Sequence, residues 1–294
     1  MSPFRIWLMA ARPRTLPAAV APVLVGTAAA YFFAEEIAWL AFAAALAGSI
    51  LIQIGTNLAN DYSDAKRGAD TTERLGPVRV TSSGLLAPRR VLHATWIAFG
   101  LAALTGIYLA TVAGPEILAV GVVSIVAGVL YTGGPRPYGY AGMGELFVFL
   151  FFGLVAVNGS YYVQLEEIDA LPVLLSVSIG FLSTAILVVN NIRDMETDPR
   201  AGKRTLAVRL GRERTRVLYT ALLAASFVLL PIAICVGDGP WLALIALASA
   251  PLAFKPLSAV RTRTDGPSLN GALAGTGALL GAFSLLLSLG LVLG

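Results

Sequence analysis

Trp39-Leu-Ala-Phe-Ala-Ala-Ala-Leu-Ala-Gly-Ser-Ile-Leu-Ile-Gln-Ile-Gly-Thr-Asn57-Leu-Ala-Asn60-Asp61-Tyr-Ser-Asp64 decides how this chain folds. Its apolar part matches the roughly 20 residues that a helix needs to cross a bilayer. It then ends in asparagine and aspartate at helical spacing. The pattern recurs where a second apolar run closes in Asn190-Asn191-Ile-Arg193-Asp194-Met-Glu196-Thr-Asp198. In both clusters an Asn precedes the first Asp by four positions, and another Asp follows three or four later. On a helix such positions stack on one face over about two turns. Carboxylates at the end of a membrane-spanning helix are costly without a cation or a function to match. Two such clusters point to a divalent-metal site shared between two helices.

The rest of the chain agrees with a membrane setting. Of its 294 residues 57% are hydrophobic and 13% charged. A soluble protein would carry about twice that charge. Apolar windows fall at 16–34, 38–58, 91–113, 116–132, 145–164, 170–190, 215–236, 241–258 and 269–292. The expected fold is therefore all-α and polytopic, with nine transmembrane helices. A membrane β-barrel would show short alternating segments instead. The whole chain, 1–294, reads as a single membrane domain with two long loops, about 59–90 and 191–215, each following an Asp cluster.

Charge placement orients these spans. All 21 Lys and Arg residues fall on one side, in the N-terminal stretch or in alternate loops. The opposite side carries only acids: Glu35, Glu36, Glu116, Glu166, Glu167, Asp169 and Asp238. The positive-inside rule then makes the N-terminus and both Asp clusters cytoplasmic, in a cell membrane. A basic cytoplasmic face suits lipid head groups and anionic substrates. Nucleic acid is excluded as a partner, because no basic and aromatic soluble domain exists to hold it. Cys235 and His93 are single occurrences, without the ligand sets that thiolate or imidazole metal sites require. Pro13, Pro17 and Pro22 argue against a cleaved signal peptide.

Hard oxygen ligands at two helix ends suit Mg²⁺, which keeps several waters and shares its site with substrate phosphate. Asp61, Asp64, Asp194 and Asp198 are the ligand candidates, with Asn57, Asn60, Asn190 and Asn191 as neutral oxygen donors. Lys66, Arg67 and Arg79 follow the first cluster, and Lys203 and Arg204 the second. Metal plus Lys and Arg is the equipment for a diphosphate, above all one that departs as a leaving group. Beside apolar helices, that means a lipid diphosphate with a long hydrocarbon tail. Loss of diphosphate from an allylic carbon leaves a cation, which aromatic faces can shelter. Tyr131, Tyr138, Tyr140, Tyr161, Tyr162 and the run Phe147–Phe152 are available for this.

These motifs resemble those of the UbiA superfamily of membrane prenyltransferases. The first cluster is similar to that family's Asn-Asp-x-x-Asp motif and the second to its Asp-x-x-x-Asp motif. Ala11-Arg-Pro-Arg-Thr-Leu-Pro17, Gly76-Pro-Val-Arg-Val-Thr81, Tyr131-Thr-Gly-Gly-Pro-Arg-Pro-Tyr-Gly-Tyr140 and Gly202-Lys-Arg-Thr-Leu206 resemble the menaquinone-pathway subgroup in particular. The resemblance implies nine helices around a central cavity, capped by the two long loops. It implies Mg²⁺, as two ions, on Asp61, Asp64, Asp194 and Asp198, holding a polyprenyl diphosphate. Lys203, Arg204, Arg136 and Tyr131 would then assist departure of the diphosphate, with Lys66, Arg79 and Tyr138 among the residues that bind substrate. Arg14 would grip the diphosphate or the carboxylate of a small aromatic acceptor, and Glu145 would orient or deprotonate that acceptor's hydroxyl. In the subgroup the acceptor is 1,4-dihydroxy-2-naphthoate, which also loses CO₂. Gly68 stands where many members carry a third aspartate, and the next carboxylate is Asp70.

Other acceptors are the nearest rival reading: 4-hydroxybenzoate, homogentisate, haem or a lipid glycerol. A cation-coupled transporter is the rival from another class, but such proteins place paired acids near the midplane on broken helices. Here the acids sit at span ends beside basic loops. The sequence leaves the oligomeric state open.

Overall fold

The computed structural model describes residues 1–69 and 75–294. A short helix α1 (Pro3–Ala11) and a 3₁₀ turn (Pro13–Thr15) lead into α2 (Pro17–Ala34), α3 (Trp39–Lys66), α4 (Pro88–Ala113) and α5 (Glu116–Leu130). Next, α6 (Gly144–Val148), a π-helical segment (Phe149–Val155) and α7 (Ala156–Leu165) form one apolar span. Then come α8 (Ala170–Asp194), a 3₁₀ turn (Asp198–Ala201), α9 (Leu206–Leu210) and α10 (Arg212–Val236). A 3₁₀ stretch (Trp241–Ser249), α11 (Pro251–Thr262) and α12 (Gly266–Leu293) close the chain.

The all-α multi-pass architecture is the expected one, but the nine expected spans are not all matched by helices long enough to cross. Among the described residues seven helices are long and apolar enough to cross a membrane. The pair Trp241–Ser249 and Pro251–Thr262, bent by 42° where Pro251 begins the second helix, makes an eighth if its two helices count as one broken span. The ninth window corresponds to α5, whose 15 residues span only about 22 Å. That is short of the roughly 30 Å hydrocarbon core.

Both expected cap loops begin later than the sequence pattern implies. The 28 residues of α3 run to Lys66, about 42 Å at a helical rise, so its last turns outreach the apolar layer and carry Asp61 and Asp64 clear of it. Gly68, at φ +65°, follows its end. Likewise α8 continues to Asp194. Asn and Asp usually interrupt helices by bonding their own backbone. Here the Asn60, Asp61 and Asp64 side chains bond groups from other segments, so the helix persists.

The interior is packed from α2, α7, α8, α10 and α12 around Val25, Val157, Leu175, Leu182, Leu230 and Phe283. Apolar attraction between helices is weak in lipid, so close approach has to hold them. A Cβ on Gly26 would lie 2.2 Å from the Val157 carbonyl oxygen, and one on Gly153 would lie 2.7 Å from Gly180 Cα. The glycines thus allow α2 to approach α7, and the π-helical segment to approach α8. Trp96, Ile97, Leu104 and Ile107 on α4, with Val122 and Val123 on α5, are exposed, as lipid-facing positions should be.

Candidate active site

A cavity of about 380 Å³ opens among the helices, with an apolar part toward α4, α5 and the π-helical segment and a polar part at the ends of α3 and α8. The polar end joins the two loops. Asp64 Oδ2 accepts from Lys203 Nζ at 3.1 Å and from Arg79 Nη2 at 3.3 Å, while Oδ1 accepts from the Tyr140 hydroxyl at 2.6 Å. Lys203 also lies 4.8 Å from the centre of the Tyr140 ring, and the Arg204 amide donates to the Tyr140 carbonyl at 2.8 Å. Residues from three segments therefore meet on one carboxylate that is only 1% exposed. Buried charge is tolerated where it is paired and fully hydrogen-bonded.

The remaining carboxylates are held differently. Asp61 accepts from the backbone N–H groups of Val80 at 3.2 Å and Thr81 at 2.9 Å, which places it behind the loop that presents Arg79. Asp194 takes a two-pronged bond from Arg193, at 2.8 and 2.6 Å. Asp198 accepts from the Thr205 hydroxyl at 3.3 Å, and Thr205 caps α9 through the Val208 amide. Asp64, Asp194 and Asp198 line the cavity together with Asn57, Asn60, Asn190, Asn191, Arg79 and Lys203; Asp61 does not. Asp70 lies outside the described residues.

The neutral donors are anchored as well. Asn57 donates to the Ala11 carbonyl and the Thr15 hydroxyl, both at 3.0 Å, and Asn60 accepts from Thr132 at 2.8 Å. Glu145 is buried behind the wall and accepts from Asn191 Nδ2 at 2.9 Å; it reaches the cavity only through that amide. Tyr131 and Tyr138 line the cavity, and burial raises both phenols well above their ordinary range. Both therefore stay neutral O–H donors. Tyr138 stacks on Phe147 at 3.9 Å and Phe147 on Phe151 at 6.1 Å, which gives an aromatic wall leading from the polar end into the apolar part.

Four expected site residues stand elsewhere. Arg14, Lys66, Arg136 and Arg204 are exposed and line no part of the cavity. Long cations at a membrane face gain most from water, and nothing buried draws these inward. Arg12 lines the cavity where Arg14 was expected: it takes the left-handed conformation at φ +53° just before the 3₁₀ turn, and its guanidinium donates to the Asn57 carbonyl at 3.5 Å. Gln53, Thr15, Thr132, Thr205 and Tyr140 also line the site. Of these Tyr140 stands out in the sequence as a loop aromatic; Thr15, Thr132 and Thr205 fall within the resembling stretches without a role of their own, and Gln53 carries no signal.

The donor set is carboxylate, amide and hydroxyl oxygen, which fits a hard cation such as Mg²⁺. Among the described residues no three carboxylates, histidines or cysteines converge into a ready metal cluster. Each cavity-facing acid therefore offers a partial shell, of the kind that substrate phosphate oxygens complete.

An all-α membrane protein with a polar, mixed-charge head on an aromatic-walled apolar cavity belongs to the class that handles amphiphilic lipids. The particular family follows from comparison: the chain belongs to the UbiA prenyltransferase family, whose sequence model matches residues 19–274. The 1,4-dihydroxy-2-naphthoate octaprenyltransferase of Mycobacterium tuberculosis is 47% identical over 277 residues, 94% of this chain and 93% of that protein. The enzyme of the same description from Escherichia coli is 40% identical over 230 residues, covering 76% of this chain and 74% of its own. Among solved structures, a UbiA homologue from Aeropyrum pernix K1 superposes with a TM-score of 0.72 at 12% identity, covering 95% of this chain and 97% of its own. A homologue from Archaeoglobus fulgidus, solved bound to GPP and Mg²⁺, gives 0.64 at 14% identity and covers 96% and 99%. At these identities the two structures establish the fold alone.

Proposed function

We propose that this chain transfers a polyprenyl group from polyprenyl diphosphate to 1,4-dihydroxy-2-naphthoate, releasing diphosphate and CO₂ and giving demethylmenaquinone in its quinol form. The observation that carries the chemistry is the meeting of Lys203, Arg79 and Tyr140 on Asp64 at the head of an aromatic-walled cavity. The acceptor rests on the relatives, which match nearly end to end at up to 47% identity. The site faces the cytoplasm of the cell membrane, on the side where the basic loops lie.

Two Mg²⁺ ions are the proposed cofactor; Asp64, Asp194 and Asp198 would hold them, with Asn60 and Asn190 as neutral donors, and they would supply charge neutralisation that stabilises diphosphate as a leaving group. The protein's own residues do the rest. Lys203 and Arg79 turn from Asp64 toward the diphosphate oxygens, where charge accumulates as the C–O bond breaks. Tyr131 donates its hydroxyl hydrogen to the departing group. Tyr138, Phe147 and Phe151 face the allylic cation and keep water from it. Arg12 takes the role expected of Arg14, facing the acceptor carboxylate, and Glu145 fixes Asn191 beside it. The acceptor ring carbon bearing the carboxylate forms the new C–C bond. The hydroxyl beside that carbon gives up its proton as the bond forms. Loss of CO₂ returns the electron pair of the C–CO₂ bond to the ring, and the oxygen takes a proton back, so the aromatic quinol forms with no net proton exchanged.

The test is prenyl transfer in membranes expressing the chain, with labelled polyprenyl diphosphate and a panel of acceptors. Product with dihydroxynaphthoate and Mg²⁺ is the expected result. Product with 4-hydroxybenzoate alone would overturn the acceptor assignment, and no product with any acceptor would overturn the enzyme reading.

A further inference from the structure

The last helix supplies more than an apolar wall. Arg193, at 2% exposure, is among the largest fully buried side chains of the protein. Four of its N–H groups are placed: Nε and Nη2 on the two oxygens of Asp194, Nη2 again on Asn190 Oδ1 at 2.8 Å, and Nη1 on Asn270 Oδ1 at 2.8 Å. Asn270 belongs to α12. Its own amide nitrogen donates to the Leu75 carbonyl at 3.1 Å, at the start of the described stretch that presents Arg79. The α12 start also abuts Leu75, since a Cβ on Gly266 would lie 3.1 Å from Leu75 Cβ. One amide side chain therefore touches both halves of the polar site.

We propose that Asn270 is a positioning residue: through Arg193 it orients Asp194, and through Leu75 it ties the Arg79-bearing loop to the α8 end of the site. The assignment rests on the proposed function above, with Asp194 as a cation ligand. An ionised carboxylate has about four lone-pair positions, and the two-pronged arginine bond uses two of them. The other two stay available to a cation, but only while the guanidinium stays in place. Asn270 and Asn190 are what keep it from rotating, because each satisfies an N–H that would otherwise turn Arg193 toward another acceptor. Among the described residues no other side chain bonds across from α12 to Arg193.

The test compares Asn270→Leu and Asn270→Asp in the full-length detergent-solubilised protein. Asp keeps the acceptor for Arg193 and loses the donor to Leu75; Leu loses both. Mn²⁺ binding in the presence of inorganic diphosphate, read by electron paramagnetic resonance, reports on the site without turnover. Asn270→Leu should weaken Mn²⁺ binding about tenfold, the scale of losing an outer partner of a ligand. Asn270→Asp should restore most of it, with both variants melting near the unsubstituted protein. In steady state Asn270→Leu should raise KM for polyprenyl diphosphate more than it lowers kcat. Unchanged Mn²⁺ binding in Asn270→Leu would overturn the proposal. So would equal weakening in both variants together with a drop in melting temperature, the signature of packing alone. If Asn270→Leu does not fold, Asn270→Asp decides: binding within twofold of the unsubstituted protein supports the proposal, and a tenfold loss overturns it. A failure of the functional reading shows up separately, as absence of prenyl transfer by the unsubstituted protein.

Discussion

The α3 end of the site and the α8 end divide their carboxylates in different ways. On α3, Asp61 is spent on the backbone of residues 80 and 81, while Asp64 gathers side chains from three segments. On α8, Asp194 is held by its immediate neighbour Arg193, and Asp198 by Thr205 seven residues on. The α8 end is thus ordered largely by contacts near its own segment, braced from α12 through Asn270, and the α3 end by contacts that exist only once both loops have closed over it. The difference assigns the two ends separate tasks. A locally ordered end is a fixed anchor for a cation. A carboxylate whose partners are a lysine and an arginine from elsewhere can exchange them when an anion arrives.

The largest expected effect breaks the α3 end. Asp64→Asn removes the negative charge and one of the two acceptor oxygens that hold Lys203, Arg79 and Tyr140, and should lower kcat/KM for prenyl transfer on the order of 10³-fold, the scale of losing a principal electrostatic group. Retention of activity within tenfold would show that Asp64 is only a structural tether. Asp194→Asn should cost a similar factor through the anchor, and a loss confined to one of the two aspartates would end the idea of a shared site.

A second, smaller effect separates ordering from chemistry. Asp61→Asn keeps one acceptor for the Thr81 amide and loses the charge-assisted bond to Val80, a change worth about 1.5–3 kcal/mol. Trypsin should therefore cleave after Arg79 faster in Asp61→Asn than in the unsubstituted protein. Asp194→Asn should change that cleavage much less, since Asp194 reaches the Arg79 loop only indirectly, through Arg193, Asn270 and Leu75. Equal cleavage in the two variants would erase the distinction between the ends. Further into the cavity, Phe147→Leu removes the face stacked on Tyr138 and should lower kcat about 3- to 30-fold, with KM for the diphosphate little changed. A rise in KM alone would make the wall a binding surface for the tail.

Much of this was legible in the sequence, and what was missed shares a cause. Helical class, apolar windows and both Asp clusters follow from local periodicity, which a chain displays directly. The pairing of Asp64 with Lys203 joins residues 139 positions apart and has no local signature. The Asp61 bond is hidden for another reason: its partners are backbone amides, which every residue carries. The α5 window reads as a span because its residues are apolar, yet the helix covers only 15 of them before the Tyr131 to Tyr140 segment turns into the site. Arg193 was visible as a charge and not as a strut, since its burial depends on Asn270 in α12.

The same cause explains the four cations that stand away from the cavity, and their substitution should have the smallest effect. Positive charge near a diphosphate site attracts attention in a sequence, but charge alone does not say which way a long side chain turns. Arg14, Lys66 and Arg136 are exposed to water, where a cation is screened within about 10 Å at moderate salt and is worth little to a site it does not touch. Arg204 contributes its backbone amide to the Tyr140 carbonyl, a bond that a substituted side chain leaves intact. Each changed singly to Gln should alter kcat/KM by less than about twofold, against the losses expected for Asp64 and Asp194. Arg12→Gln is the matched contrast: it should raise KM for the acceptor without changing KM for the diphosphate. If Arg14→Gln has that effect and Arg12→Gln does not, the acceptor enters from the outer face of the 3₁₀ turn, and the polar end of the cavity belongs to the diphosphate alone.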